Sequence, residues 1–115
     1  MRYYILRAQG ENDIRSAKEL TRYSFNINNI NAERFLSDLK EEKVGYLLYC
    51  VSNKKFIEHG LISDISADKS LRNFEAHLSP RNTLDISYTA FASPNCRIIP
   101  ASKNKVDELF EHMNS

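Results

Sequence analysis

Near its C-terminal end the chain reads RIIPASKNK, which gathers Arg97, Lys103 and Lys105 around the start of an amphipathic helical pattern. A helix N-terminus already presents about half a positive charge, and acidic residues are its usual company. Cations crowded there, with the backbone N–H groups of the same segment, describe a corner for an anion. A plainer arrangement is equally open. Proline is favoured at a first helical position and serine at an N-cap, so Pro100 and Ser102 fit an ordinary helix start with the lysines in water. Other chemistry is thinner. Glu58 and His59 are neighbours on a strand pattern and point to opposite faces, so they cannot act as a pair. His77 and Ser79 in HLSPR have no acidic partner at a telling distance, which argues against a hydrolase. His59, His77 and His112 show no ligand spacing with one another or with Cys50 and Cys96, so no metal is expected.

Those residues need elements to position them, and 115 residues suffice for a single domain, 1–115, with its own core. RYYILRA (Arg2 to Ala8) predicts a strand that is apolar on both faces and therefore lies inside a sheet. Gly10 to Asp13 break it, and a helix follows with Ile14, Ala17, Leu20 and Ser24 on one side. NINNIN (26–31) reads as a turn-prone connector. A second helix carries Ala32, Phe35, Leu36 and Leu39 at helical spacing. GYLLYCV, SNKK and FIEHGLISDI predict an antiparallel hairpin. In 66–83 the spacing of Leu71, Phe74 and Leu78 predicts one or two helical turns stopped by Pro80. TLDISYTAFA (83–92) alternates as a strand, with Leu84, Ile86, Tyr88 and Ala90 on one face. The last helix aligns Val106, Leu109, Phe110 and Met113. The expected fold class is α+β (mixed α/β) in the order β-α-α-β-β-β-α, with a mostly antiparallel central sheet flanked by helices.

This order, with these segments, resembles the first part of the GNAT (Gcn5-related) N-acetyltransferase family. YYILRAQGENDIRSAKEL resembles the family's first strand and helix. GYLLYCVSNKKFIEHGLISDI resembles its second and third strands, with Gly60 at a position where the family carries glycine. ISYTAFASPNCR resembles the fourth strand, and RIIPAS falls on the family's phosphate loop. Pro100 stands where the first loop glycine belongs, and Ser102 takes the second small position. The resemblance stops short of the family's final strand and helix.

The resemblance implies an acyl-CoA-binding protein, acetyl-CoA being the cofactor, with N-acetyl transfer to an amine. Its pyrophosphate would rest on Arg97, Ile98, Ile99, Ala101, Ser102 and Lys103. Asp85 on the fourth strand would then be the candidate base, although its alternation with Leu84 and Ile86 also makes it a solvent-facing residue. The other open reading is a non-catalytic protein-binding module, such as a small inhibitor, immunity or mobile-element accessory protein, with Tyr3, Tyr4, Tyr46 and Tyr49 available to a binding face. An unfinished sheet edge also invites a homodimer. Near-zero net charge argues against nucleic acid. YLLYCV is too short to span a bilayer, so no membrane partner is expected. Two lone cysteines without a leader segment read as reduced thiols of a cytoplasmic protein.

Overall fold

Strand β1 (Arg2–Ala8) is apolar on both faces because both are covered: Tyr4 through Ala8 are all buried. The computed structural model describes residues 1–89 and 96–113. Helix α1 (Glu11–Glu19), β2 (Arg22–Asn26) and α2 (Ala32–Glu41) come next. Then follow β3 (Val44–Cys50), β4 (Lys55–Ala67), β5 (Asn73–Ser87), β6 (Ile98–Ala101) and α3 (Lys103–Met113). The six strands make one sheet in the order β2-β5-β4-β3-β1-β6. Among the described residues only β1 and β3 run parallel, and the other neighbouring pairs are antiparallel.

The mixed α+β class and the mostly antiparallel sheet are as the sequence implies, but the order of elements is not. Residues 22–26, expected at the end of the first helix and in the following connector, form β2. Tyr23 and Phe25 point inward and Ser24 outward. Thr21, at φ 52°, turns the chain out of α1 just before it. Leu20, expected on the helix's apolar stripe, is exposed. The segment 66–83 is not helical. It is the tip of a long hairpin and most of β5, and Phe74, Ala76 and Leu78 alternate along that strand. Pro80 does not stop a helix. It lies opposite Gly60 beside a register shift, where a strand tolerates a residue without an N–H. Of the expected strand 83–92, β5 includes residues to Ser87, while 90–92 lie outside the described residues.

Two cores form on the two faces of the sheet. One gathers Tyr4, Leu6, Tyr46, Leu48 and Phe35 beneath α1 and α2. The other packs Ile5, Leu47, Tyr49 and Phe56 against Val106 and Leu109 of α3. The α2 stripe behaves as its spacing implies, with Phe35 fully buried against Tyr4 and Phe25. Truncating such a ring to alanine typically costs about 3–5 kcal/mol. Three polar contacts stand inside this packing: the Tyr46 hydroxyl donates to Glu58 at 2.7 Å, Lys18 reaches the same carboxylate at 3.2 Å, and Tyr4 donates to Asp38.

The sheet curls until its two outer strands approach each other. Tyr23 of β2 and Ile98 of β6 share one core although four strands lie between theirs. Side chains bridge the seam where no backbone ladder does. The Tyr23 hydroxyl donates to Arg7 O at 2.7 Å and to Arg97 O at 3.2 Å. Asn31 Nδ2 donates to Ile98 O at 2.9 Å. Among the described residues no helix is long and apolar enough to cross a membrane, and no group of three or more His, Cys, Asp or Glu residues is placed to hold a metal.

Candidate nucleic-acid interface

At the open end of this seam, β2, the β4–β5 hairpin tip and Arg97 surround a pocket of about 590 Å³. Its shape follows from the strand register. Phe25 pairs with Phe74 and Asn26 with Asn73, so a ring pair on the core face of β2 and β5 is followed by an amide pair on the opposite face. The rings stack at 5.5 Å and 17°, with Phe25 buried in the core and Phe74 half-buried against it. Asn26 Nδ2 donates to Asn73 Oδ1 at 2.9 Å, and Asn73 Nδ2 donates to Asp68 Oδ2 at 2.9 Å. The amide chain is anchored at its other end as well, since the Asn28 N–H donates to Asn26 Oδ1 at 2.8 Å. Asn29 completes the turn by accepting from the Asn26 N–H at 2.7 Å. These contacts fix which end of the Asn26 and Asn73 amides is donor and which is acceptor, and each uses one of its two side-chain N–H groups.

Asp68 organises the hairpin tip. Its carboxylate also accepts from the Ser70 hydroxyl and from the backbone N–H of Arg72 and Asn73. The hydrogen bond from the Asn73 side chain, followed by those from Ser70 and Arg72, holds its pKa down at about 2. A carboxylate that stays charged keeps the amides oriented across the ordinary pH range.

Arg97 crosses from the start of β6 to close the pocket. One terminal nitrogen meets Asp13 of α1 at 2.9 Å, and the other donates to Ser24 O at 2.9 Å. Its guanidinium carbon sits over the Tyr23 ring, 5.0 Å from the centroid. Burial opposes the charge, but the hydrogen bond and charge of Asp13, with Tyr23, outweigh it and raise the Arg97 pKa. Asp68 and Glu75 also line the pocket, so it is not a net cationic site. It offers a planar guanidinium and a fixed set of hydrogen-bonding edges.

The six residues expected to hold a cofactor phosphate are not gathered in one place. Arg97 lines the seam pocket. Ile98 is fully buried in the core beneath α1 and α2, and Ile99 and Ala101 pack on the opposite face beside α3. The segment from Ile98 to Ala101 pairs antiparallel with β1 as an outer strand. Ser102 caps α3, its Oγ accepting from the Lys105 N–H at 3.2 Å and its carbonyl from the Val106 N–H at 3.0 Å. Lys103 is exposed beside a separate cavity formed with Arg2, Tyr3 and Phe110. Asp85 is solvent-facing and pairs with Lys55 at 2.9 Å. Asn26, Asn29, Asp68, Asn73 and Phe74 were not among the expected site residues. The density of asparagines in 26–31 was their one visible signal.

No family model matches the sequence, and no curated protein matches it. Solved structures match its fold. The YTH domain of Mmi1 superposes with a TM-score of 0.72 at 12% identity, over 99% of this chain and 96% of that one. An Mmi1 YTH domain in complex with RNA gives 0.69 at 12% identity, over 98% and 77% of the two chains. The YTH domain of Zygosaccharomyces rouxii MRB1, in complex with N6-methyladenosine RNA, gives 0.60 at 9% identity, over 96% and 85%. The fold is therefore YTH-like.

This corrects the acetyltransferase resemblance and the readings drawn from it. The opening strand and helix and the following hairpin occur in this fold too, which is why their sequence patterns matched. The acyl-CoA-binding, acetyl-transferring protein and its alternative, a protein-binding inhibitor or accessory module, are both set aside, because the fold neighbours are YTH domains solved alone or with RNA. The expectation of no nucleic-acid partner falls for the same reason. Near-zero net charge does not argue against such a partner, since recognition of unpaired bases relies on stacking and edge hydrogen bonds as well as on phosphate contacts.

Proposed function

We propose that this chain binds RNA and takes one unstacked base into the pocket between β2, the hairpin tip and Arg97. The observation that carries this reading is the pocket's composition on a YTH-like fold. A planar guanidinium and two oriented amides suit a flat heterocycle with a hydrogen-bonding edge. The Mmi1 and MRB1 neighbours solved with RNA support the ligand class. The acidic lining disfavours phosphate inside the pocket, so the backbone of the strand runs outside it.

Fluorescence anisotropy with labelled single-stranded and duplex RNA of one sequence tests this. Single strands bind and duplex binds more weakly, because a paired base cannot enter. Asn26→Ala and Asn73→Ala each weaken binding roughly 2- to 10-fold, the range for one lost hydrogen bond. Equal affinity for duplex, or wild-type affinity in both variants with melting unchanged, refutes the pocket as the base site.

A further inference from the structure

The geometry points to a specific role for Arg97: its guanidinium plane, neutralised by Asp13, is a stacking wall of the base pocket and not a phosphate anchor. This rests on the RNA-binding reading above and goes further, assigning the residue and the kind of contact.

A phosphate-binding arginine keeps its N–H fork open and its charge uncompensated. Arg97 does neither. Both terminal nitrogens are engaged, one by the Asp13 carboxylate and one by Ser24 O, each at 2.9 Å. The ion pair is sheltered, with side-chain exposure of 19% for Arg97 and 25% for Asp13, so solvent screens it only in part. One face of the guanidinium lies over Tyr23. The group that lines the pocket is thus planar and charge-compensated. The chain contains no tryptophan. The Phe25 and Phe74 rings pack on the core face, so among the described residues this guanidinium is the pocket's planar surface beside the two amides. Sequence pattern alone marks Arg97 as a cation near a helix start. The seam, by bringing Asp13 and Ser24 to it, makes it a platform.

The two roles separate by shape and by salt. Lysine keeps the charge and loses the plane, whereas Asp13→Asn keeps the plane and releases the charge. Anisotropy titrations of single-stranded RNA at several salt concentrations read both. For a platform, Arg97→Lys loses affinity as fully as Arg97→Ala, about tenfold, the scale of one base stack. The salt slope stays unchanged in both. Asp13→Asn steepens the slope by about 0.7, the value for one added phosphate contact on a single strand. An anchor gives the opposite pattern: Arg97→Lys binds nearly as wild type, and Arg97→Ala flattens the slope by about 0.7. That result overturns the platform and leaves the RNA reading standing. Should the variants fold poorly, the wild-type protein still decides, because a stacked base shifts the Arg97 Nε–H proton resonance upfield on RNA addition, and an unmoved resonance overturns the proposal. A wild-type chain that binds no RNA at any salt overturns both readings.

Discussion

Gly60→Ala is the substitution whose effect the structure fixes most directly. A Cβ built on Gly60 would lie 2.2 Å from Ser79 O, 2.8 Å from Pro80 Cα and 3.0 Å from the Ser79 carbonyl carbon. All three are backbone atoms of β5, so no rotamer change relieves the clash. Ordinary contact needs a separation more than 1 Å greater than the closest of these, so β4 and β5 must move apart where the ladder is already irregular. Overpacking typically costs about 1–3 kcal/mol, and an unyielding backbone neighbour puts this site at the upper end. For a chain of this length each kcal/mol lowers Tm by about 4 °C, which gives a drop of about 12 °C. Two other glycines serve as internal controls. At Gly45 the added Cβ meets the Tyr3 ring at 2.4 Å, a side chain that can swing aside, so the loss is smaller. At Gly10 nothing lies within 4 Å, and alanine costs little more than a weaker N-cap, about 1 kcal/mol or less. Thermal unfolding followed by circular dichroism should rank the losses Gly60, Gly45, Gly10. A Gly60→Ala protein melting within about 3 °C of Gly10→Ala would falsify the close approach of the two strands.

Two pH titrations probe other parts of the structure. Asp68 has its pKa lowered to about 2 by partners in the folded hairpin, so its contribution to the tip is present above the ordinary carboxylate value of 3.8 and is lost as pH falls toward 2. Carboxyl carbon shifts in NMR should show a midpoint near 2, moving back up in Asn73→Ala; a wild-type midpoint near 3.8 contradicts the hydrogen-bonded tip. Tyr23, Tyr46 and Tyr4 have raised pKa values, from burial first, then from Glu58 beside Tyr46 and Asp38 beside Tyr4. Their stabilisation is complete below pH 10 and lost as pH rises beyond it, so their phenolate absorbance should appear together with unfolding. If Tyr46→Phe removes absorbance from a phase that precedes unfolding, that burial is wrong.

The parts of the fold legible in the sequence are those whose pattern is local. The β3–β4 hairpin follows from two apolar runs around 51–54, and α2 from a stripe that no strand would produce. The misread parts have ambiguous spacing. Phe74 and Leu78 are four residues apart, which suits one turn of helix and also two steps along the same face of a strand; the long pairing with β4 settles it. Arg22–Asn26 has too few residues to declare itself, and becomes a strand because β5 offers it an edge. Asp13, Ser24, Asp68, Asn73 and Arg97 are spread over more than eighty positions of the chain. No spacing rule links them, so the pocket could not be read in advance.

The sequence by itself determined which stretches must be buried, that the sheet would be largely antiparallel with helices against it, and that Glu58 and His59 would part to opposite faces. Those outcomes depend on side-chain periodicity, which each segment carries alone. Only the tertiary structure decided that the sheet curls, that its outer strands meet, and that an arginine near a helix start is neutralised at a pocket mouth. Such features depend on distances between segments remote in the chain, and these are set by the packing of the whole core.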